Sequence, residues 1–190
     1  MKNIFILLLS STLLLGCFGS GLLLSGKDNK IYNQVKLNLV KKALLLPVNV
    51  NVETDNSSSY SKSITDTLFN DLNSLKSLSI IPMDSASNTA KRLNISESDS
   101  TFIFKLADTL NANAIIRPSI FYKHVPNMPL TKAAMFIMAI YDSHSEKLLA
   151  YYSYDTGIGK NYWLKSPTIQ QVTNDAISET IKSFKESLHN

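Results

Sequence analysis

Three adjacent residues carry the side-chain types of a nucleophilic hydrolase: Asp142, Ser143 and His144. In such a site an imidazole takes the hydroxyl proton and a carboxylate orients the ring, and separate elements bring the three together. Here they are chain neighbours within Asp142-Ser143-His144-Ser145-Glu146, a polar stretch between two apolar runs. That placement makes a tight connection, not a triad. A small hydrolase working through Asp142 and His144 stays as the alternative reading. The other histidines, His124 and His189, are not spaced with another His, Asp or Glu as a ligand pair, and the one cysteine is Cys17. Zinc therefore has no evident ligand set. Gly157-Ile158-Gly159 lacks a third glycine and follows the last apolar strand, so it reads as a turn and not a dinucleotide loop. No catalytic residue, cofactor, metal or small-molecule substrate is expected.

The chemistry the chain does offer is at Cys17. Lys2 gives a short positive start, and Ile4 to Leu15 is apolar apart from Ser10, Ser11 and Thr12. This is the anatomy of a secretory signal peptide, and the run is shorter than the roughly 20 apolar residues that cross a bilayer. Its end, Leu14-Leu15-Gly16-Cys17, resembles the bacterial lipobox, with small Gly16 before the cysteine and branched Leu14 two places earlier. The resemblance implies cleavage after residue 16 and a diacylglycerol on the Cys17 thiol. Phe18 in place of Asp implies an outer-membrane lipoprotein facing the periplasm. The competing reading is an uncleaved spanning helix, since no charge falls between Lys2 and Lys27 and Leu22-Leu23-Leu24 prolongs the apolar character. Gly16, Gly19, Ser20, Gly21 and Gly26 weaken it. With its one cysteine lipidated, the chain has no thiol left for a disulfide or a nucleophile.

Removing residues 1–16 leaves 174 of the 190 residues, enough for one domain with its own core. The formal charge of +4 is almost all lysine, and without Lys2 it falls near +3. There is no arginine stripe, so nucleic acid is not an expected partner. Lys27, Lys30, Lys36, Lys41 and Lys42 cluster after the anchor; a solvated tether over residues 17–41 is favoured over contact with anionic head groups. Within it Ile31, Val35 and Leu39 have the spacing of a short helix.

The domain of residues 42–190 reads as one α+β (α/β-like) unit. Lys42 to Val52 is a strand with an interior start. Ile64, Leu68, Leu72 and Leu75 mark an amphipathic helix, and Leu78–Pro82 is a short strand. Ser85–Arg92 holds a helical turn. Ser98 caps a helix carrying Phe102, Leu106 and Leu110. Ala114–Val125 is a strand that Arg117-Pro118 pushes to an edge or a bulge. Ala133–Tyr141 is apolar on both parities, as in a central strand covered on both faces. Lys147–Asp155 returns antiparallel to it. Ser166-Pro167 opens the last helix, whose apolar face is Ile169, Val172, Ala176, Ile177, Ile181, Phe184 and Leu188. About five strands in the order β-α-β-α-β-β-β-α predict a mixed sheet with helices packed on it.

Two loops carry partner-binding candidates. Lys160, Tyr162 and Trp163 combine the lone tryptophan with cations, as interface cores and rims do; Tyr162, Trp163 and Leu164 as buried core is an equal alternative. Met128 and Leu130 are the apolar tips of a loop stiffened by Pro126 and Pro129.

The strings KALLLPVNV, ITDTLFNDLNSL, LSIIP, LADTLNANAIIRPSIF and MFIMAIYDSHSEKLLAYYSY together resemble a superfamily of bacterial envelope domains. It includes the TolB N-terminal domain, curli-secretion channel lipoproteins, an exopolysaccharide-export lipoprotein family and penicillin-binding-protein activator lipoproteins. The likeness spans roughly residues 42–188, with Leu106, Ala107 and Ala112–Ala114 at one turn and Asp142 and Glu146 at another. Arg117-Pro118 departs from the small residues of that superfamily, and long barrel-forming insertions are lacking. The resemblance implies a non-catalytic outer-membrane-anchored accessory factor of a periplasmic machine for secretion, motility or cell-wall synthesis. It would act through an envelope protein partner or a self-oligomer.

Overall fold

The computed structural model describes residues 25–51, 57–92, 101–124, 132–157 and 168–188. In chain order its elements are β1 (Gly26–Ile31), α1 (Gln34–Asn38), β2 (Lys42–Leu45), β3 (Asn49–Asn51) and α2 (Ser57–Asn73). There follow β4 (Ser79–Pro82), α3 (Met83–Arg92), α4 (Phe102–Thr109), β5 (Ala114–His124), β6 (Lys132–Asp142), β7 (Leu148–Asp155) and α5 (Ile169–Ser187). They build one mixed seven-stranded sheet in the order β1-β7-β6-β5-β2-β4, with β3 also on β5. The pairings β1–β7, β7–β6 and β6–β5 are antiparallel, whereas β2 and β3 pair parallel with β5 and β4 pairs parallel with β2.

The α+β mixed sheet is as expected, but it has seven strands instead of five. One extra strand comes from the segment expected as tether: residues Gly26 to Ile31 pair with Asp155 to Ala150. The other comes from a break in the 42–52 run. After Leu45, Leu46 N–H donates to Ile116 O and the chain leaves the ladder. Val48 is then held by α2, its N–H donating to Thr65 Oγ1 at 2.9 Å and its carbonyl accepting from the Ser61 hydroxyl. Pairing resumes at Asn49 opposite Ser119.

This break explains Pro118. The Arg117-Pro118 pair predicts an edge or a bulge for β5, yet β5 is central, between β6 and β2/β3. Ile116 turns its carbonyl toward β2, and period two puts the Pro118 nitrogen on that same side. Its missing donor falls where Leu46, Pro47 and Val48 have left the ladder, so no sheet bond is lost.

Two apolar clusters sandwich the sheet. On one side α2 and α5 bring Leu68, Leu72, Ala176, Ile177 and Phe184 onto Leu45, Ile116, Phe136, Met138, Ile140 and Tyr152. On the other α3 and α4 bring Ala86, Ala90, Phe102 and Leu106 onto Leu44 and Ile115. The second layer stops short: in β6 Ala134, Phe136, Met138 and Ile140 are buried, but Met135, Ile137, Ala139 and Tyr141 are only half-buried. β6 is thus central but is fully covered on one face alone.

Helix ends follow local chemistry. α5 starts from Thr168, whose Oγ1 accepts from Gln171 N–H while Gln171 Oε1 accepts from Thr168 N–H, a reciprocal capping box. This replaces the expected Ser166-Pro167 start, which lies outside the described residues. Likewise Thr101 precedes α4, and Ser98 lies outside the described residues. α4 ends with Asn111 at φ 51°, Ala112 N–H returning to Ala107 O and Asn111 N–H to Asp108 O. That is the Schellman pattern, with Asn tolerating the left-handed position. It accounts for the spacing in Leu106-Ala107…Asn111-Ala112.

Candidate functional site

Cys17, Met128, Leu130, Lys160, Tyr162 and Trp163 lie outside the described residues, as does His189. Asp142, Ser143 and His144 are described, and they occupy the β6–β7 turn. Glu146 takes the left-handed conformation at φ 58°, its N–H donating to Asp142 O, and Asp142 N–H donates to Lys147 O. Asp142 Oδ1 accepts from Ser145 N–H at 2.7 Å, and Oδ2 accepts from Lys36 Nζ at 3.0 Å. Burial pushes the Asp142 carboxyl up, but the Ser145 and Lys36 donors more than reverse this and hold it at about 2. The Ser143 hydroxyl is buried with no hydrogen-bond partner. His144 turns away: its Nδ1 lies 3.1 Å from Asp108 Oδ1, and both side chains are about two-thirds exposed (68% and 67%). The three are adjacent without forming a proton relay, and of their side chains that of Asp142 is the one bonded within the turn.

Asn113 ties this turn to α1. Its Oδ1 accepts from Lys41 N–H at 3.3 Å and Lys42 N–H at 3.1 Å, and its Nδ2 donates to Leu39 O at 2.8 Å. Its N–H donates to Lys42 O, and its carbonyl accepts from Ser143 N–H. One residue thus joins the end of α1, the start of β2 and the hairpin turn.

On the half-covered face, the Arg117 guanidinium stacks 5.3 Å from the Tyr141 ring centroid and 5.8 Å from that of Phe104. Its Nε is buried without a hydrogen-bond partner. Around it Phe121, Met135, Ile137 and Tyr151 share the sheet face, all half-buried. This is a mixed apolar and cationic surface of the kind protein interfaces use. Sequence reasoning misses it because Arg117 beside Pro118 reads as part of a strand disruptor and not as a cation over rings.

A cleft of about 340 Å³ opens outside the carboxyl ends of β2 and β4. Pro47, Phe69, Pro82 and Met83 give it apolar walls, with Lys62, Asp66 and Asp84 among its lining. Ligands of open α/β sheets gather at such strand ends, but two of its polar groups, Ser61 and Thr65, are already spent on Val48. Among the described residues no three His, Cys, Asp or Glu side chains converge to hold a metal ion. No described helix is long and apolar enough to cross a membrane.

No protein-family model matches the chain, and no curated protein matches it in sequence. Similar solved structures exist. A PelC dodecamer from Paraburkholderia phytofirmans aligns over 85% of this chain and 97% of its own, at TM-score 0.53 and 11% identity. Lipoprotein GNA1162 from Neisseria meningitidis aligns over 78% and 99%, at TM-score 0.46 and 16% identity. The LpoB C-terminal domain from Salmonella enterica aligns over 62% and 84%, at TM-score 0.41 and 15% identity. At these identities the PelC alignment shows a shared fold.

Proposed function

We propose that this chain is a non-catalytic lipoprotein, anchored through Cys17 in the outer membrane and facing the periplasm. It serves an envelope machine by protein–protein contact, including contact with further copies of itself. The observation that carries the reading is the half-covered face of β5, β6 and β7. Arg117, its stacked rings and the neighbouring apolar side chains leave there a surface suited to a protein partner. The fold shared with a protein solved as a dodecamer supports self-association. The use of Asp142, Ser143 and His144 in one turn supports a role without catalysis.

The test is crosslinking of the tagged full-length protein in cells, followed by identification of what is captured. A ladder of self-adducts supports a ring or scaffold, and capture of a cell-wall synthase or secretion component supports an accessory role. Capture of neither overturns the contact reading. Cys17→Ser is expected to abolish both the lipid mass and precursor cleavage; normal maturation of that variant would refute the anchor.

A further inference from the structure

Four large apolar side chains stand exposed together on the segment from the end of β1 through α1: Ile31 (41%), Tyr32 (60%), Val35 (73%) and Leu39 (61%). Of the Ile31, Val35, Leu39 series that has helical spacing in the sequence, Ile31 ends β1, Val35 lies on the outward side of α1 and Leu39 caps it, while Leu37, fully buried, is what faces the core. The orientation is fixed by polar bonds. Asn33 Oδ1 accepts from Lys36 N–H at the helix start, Gln34 Nε2 donates to Ser187 O at 2.8 Å, and Lys36 reaches Asp142. Rolling α1 to hide Val35 and Leu39 would break these bonds and expose Leu37.

Five lysines lie within residues 27–42 against one acid, Asp28. Lys27 and Lys36 are offset by Glu179 and Asp142, which leaves the segment net positive. Aliphatic side chains and a tyrosine flanked by lysines match the lipid–water boundary of an anionic leaflet, where rings sit at head-group level and lysines snorkel to phosphates. Eight residues separate Cys17 from Gly26, a reach of at most about 30 Å. That exceeds the length of β1, about 17 Å. A lipid on Cys17 can therefore sit beside the end of β1 where the patch lies.

We infer that the outward side of α1 is a second membrane-contact surface, lying against an anionic lipid leaflet next to the acyl anchor. This rests on the lipidation of Cys17 proposed above. It would turn the β6–β7 turn and the end of α5 toward the membrane and the cleft at Pro47 and Pro82 away from it.

The test uses the full-length Val35→Cys protein, matured and acylated, so that its one free thiol carries an environment-sensitive dye. In vesicles of phosphatidylcholine with phosphatidylglycerol, the emission is expected to shift blue and to be quenched by nitroxide-labelled acyl chains. The quenching should weaken without phosphatidylglycerol, while a dye at Lys62→Cys on α2 stays in water. Acyl mass with a water-exposed dye at position 35 overturns the patch alone. A dye shielded without vesicles, in a concentration-dependent way, assigns the surface to a second copy and also overturns it. A mass spectrum without acyl chains overturns the anchor and, with it, this placement.

Discussion

Lys36 and Asp142 lie 106 positions apart, yet the ammonium of one sits 3.0 Å from the carboxylate of the other and fastens α1 to the β6–β7 turn. The pair is asymmetric: the Asp142 side chain is 11% exposed and that of Lys36 44%. The carboxylate is also the Ser145 N–H acceptor, so its loss should cost more than loss of the ammonium. Asp142→Ala, which removes that acceptor where Asn would keep one, is expected to destabilise by about 2 kcal/mol and Lys36→Met by less than about 1 kcal/mol in urea titrations. Equal losses would mean that the ion pair, and not the turn bond, carries the contribution.

The same carboxyl sets an acid response. Its folded pKa of about 2 lies below the ordinary 3.8. The stabilisation is therefore complete above about pH 4 and disappears as pH falls toward about 2, with a span of roughly 2 kcal/mol. Urea midpoints of the parent and Asp142→Asn should differ most above about pH 4 and converge near about pH 2. A gap that stayed constant would show that the Asp142 carboxyl is not held down in the fold.

Asn113 is expected to be a second sensitive polar residue at this end. Asn113→Ala removes three side-chain bonds and leaves Leu39 O and the N–H groups of Lys41 and Lys42 without this partner. Two of the three bonds are exposed, so water can replace part of what is lost and a loss of about 1–2 kcal/mol follows. Asn113→Asp is the informative control. It keeps the shape and an acceptor for both N–H groups but lacks the donor to Leu39 O, so it should recover only part of the loss, whereas a purely packing role would recover all of it.

The helices are largely legible in the sequence because their buried stripes repeat at helical spacing: Ile64, Leu68, Leu72 and Leu75 are all buried, as are Val172, Ala176, Ile177 and Phe184. The hairpin of β6 and β7 is legible from Asp142 and Glu146, a carboxylate that caps the turn and a residue at positive φ. β1 is not, since its six residues are all exposed and it gains its place only by pairing with β7. The outward side of α1 is hidden from sequence reading because periodicity reports a shared face without saying which way that face points. The central place of β5 is hidden too, because whether Pro118 costs a bond depends on where the neighbouring chain breaks, at residues 46–48.

Arg117 gives the last prediction. Its stacking on Phe104 and Tyr141 contributes about 1–2 kcal/mol, whereas its buried Nε without a partner costs on the order of 1–3 kcal/mol. The two nearly cancel in the isolated domain. Arg117→Met, which keeps the apolar stem, should therefore change stability by no more than about 1 kcal/mol, while Arg117→Ala loses packing as well and costs more. If this sheet face meets a partner, the well-folded Met variant should lose its crosslinks in cells. Unaltered crosslinking would place the contact elsewhere, and a loss above about 2 kcal/mol would show that the cation serves the fold itself.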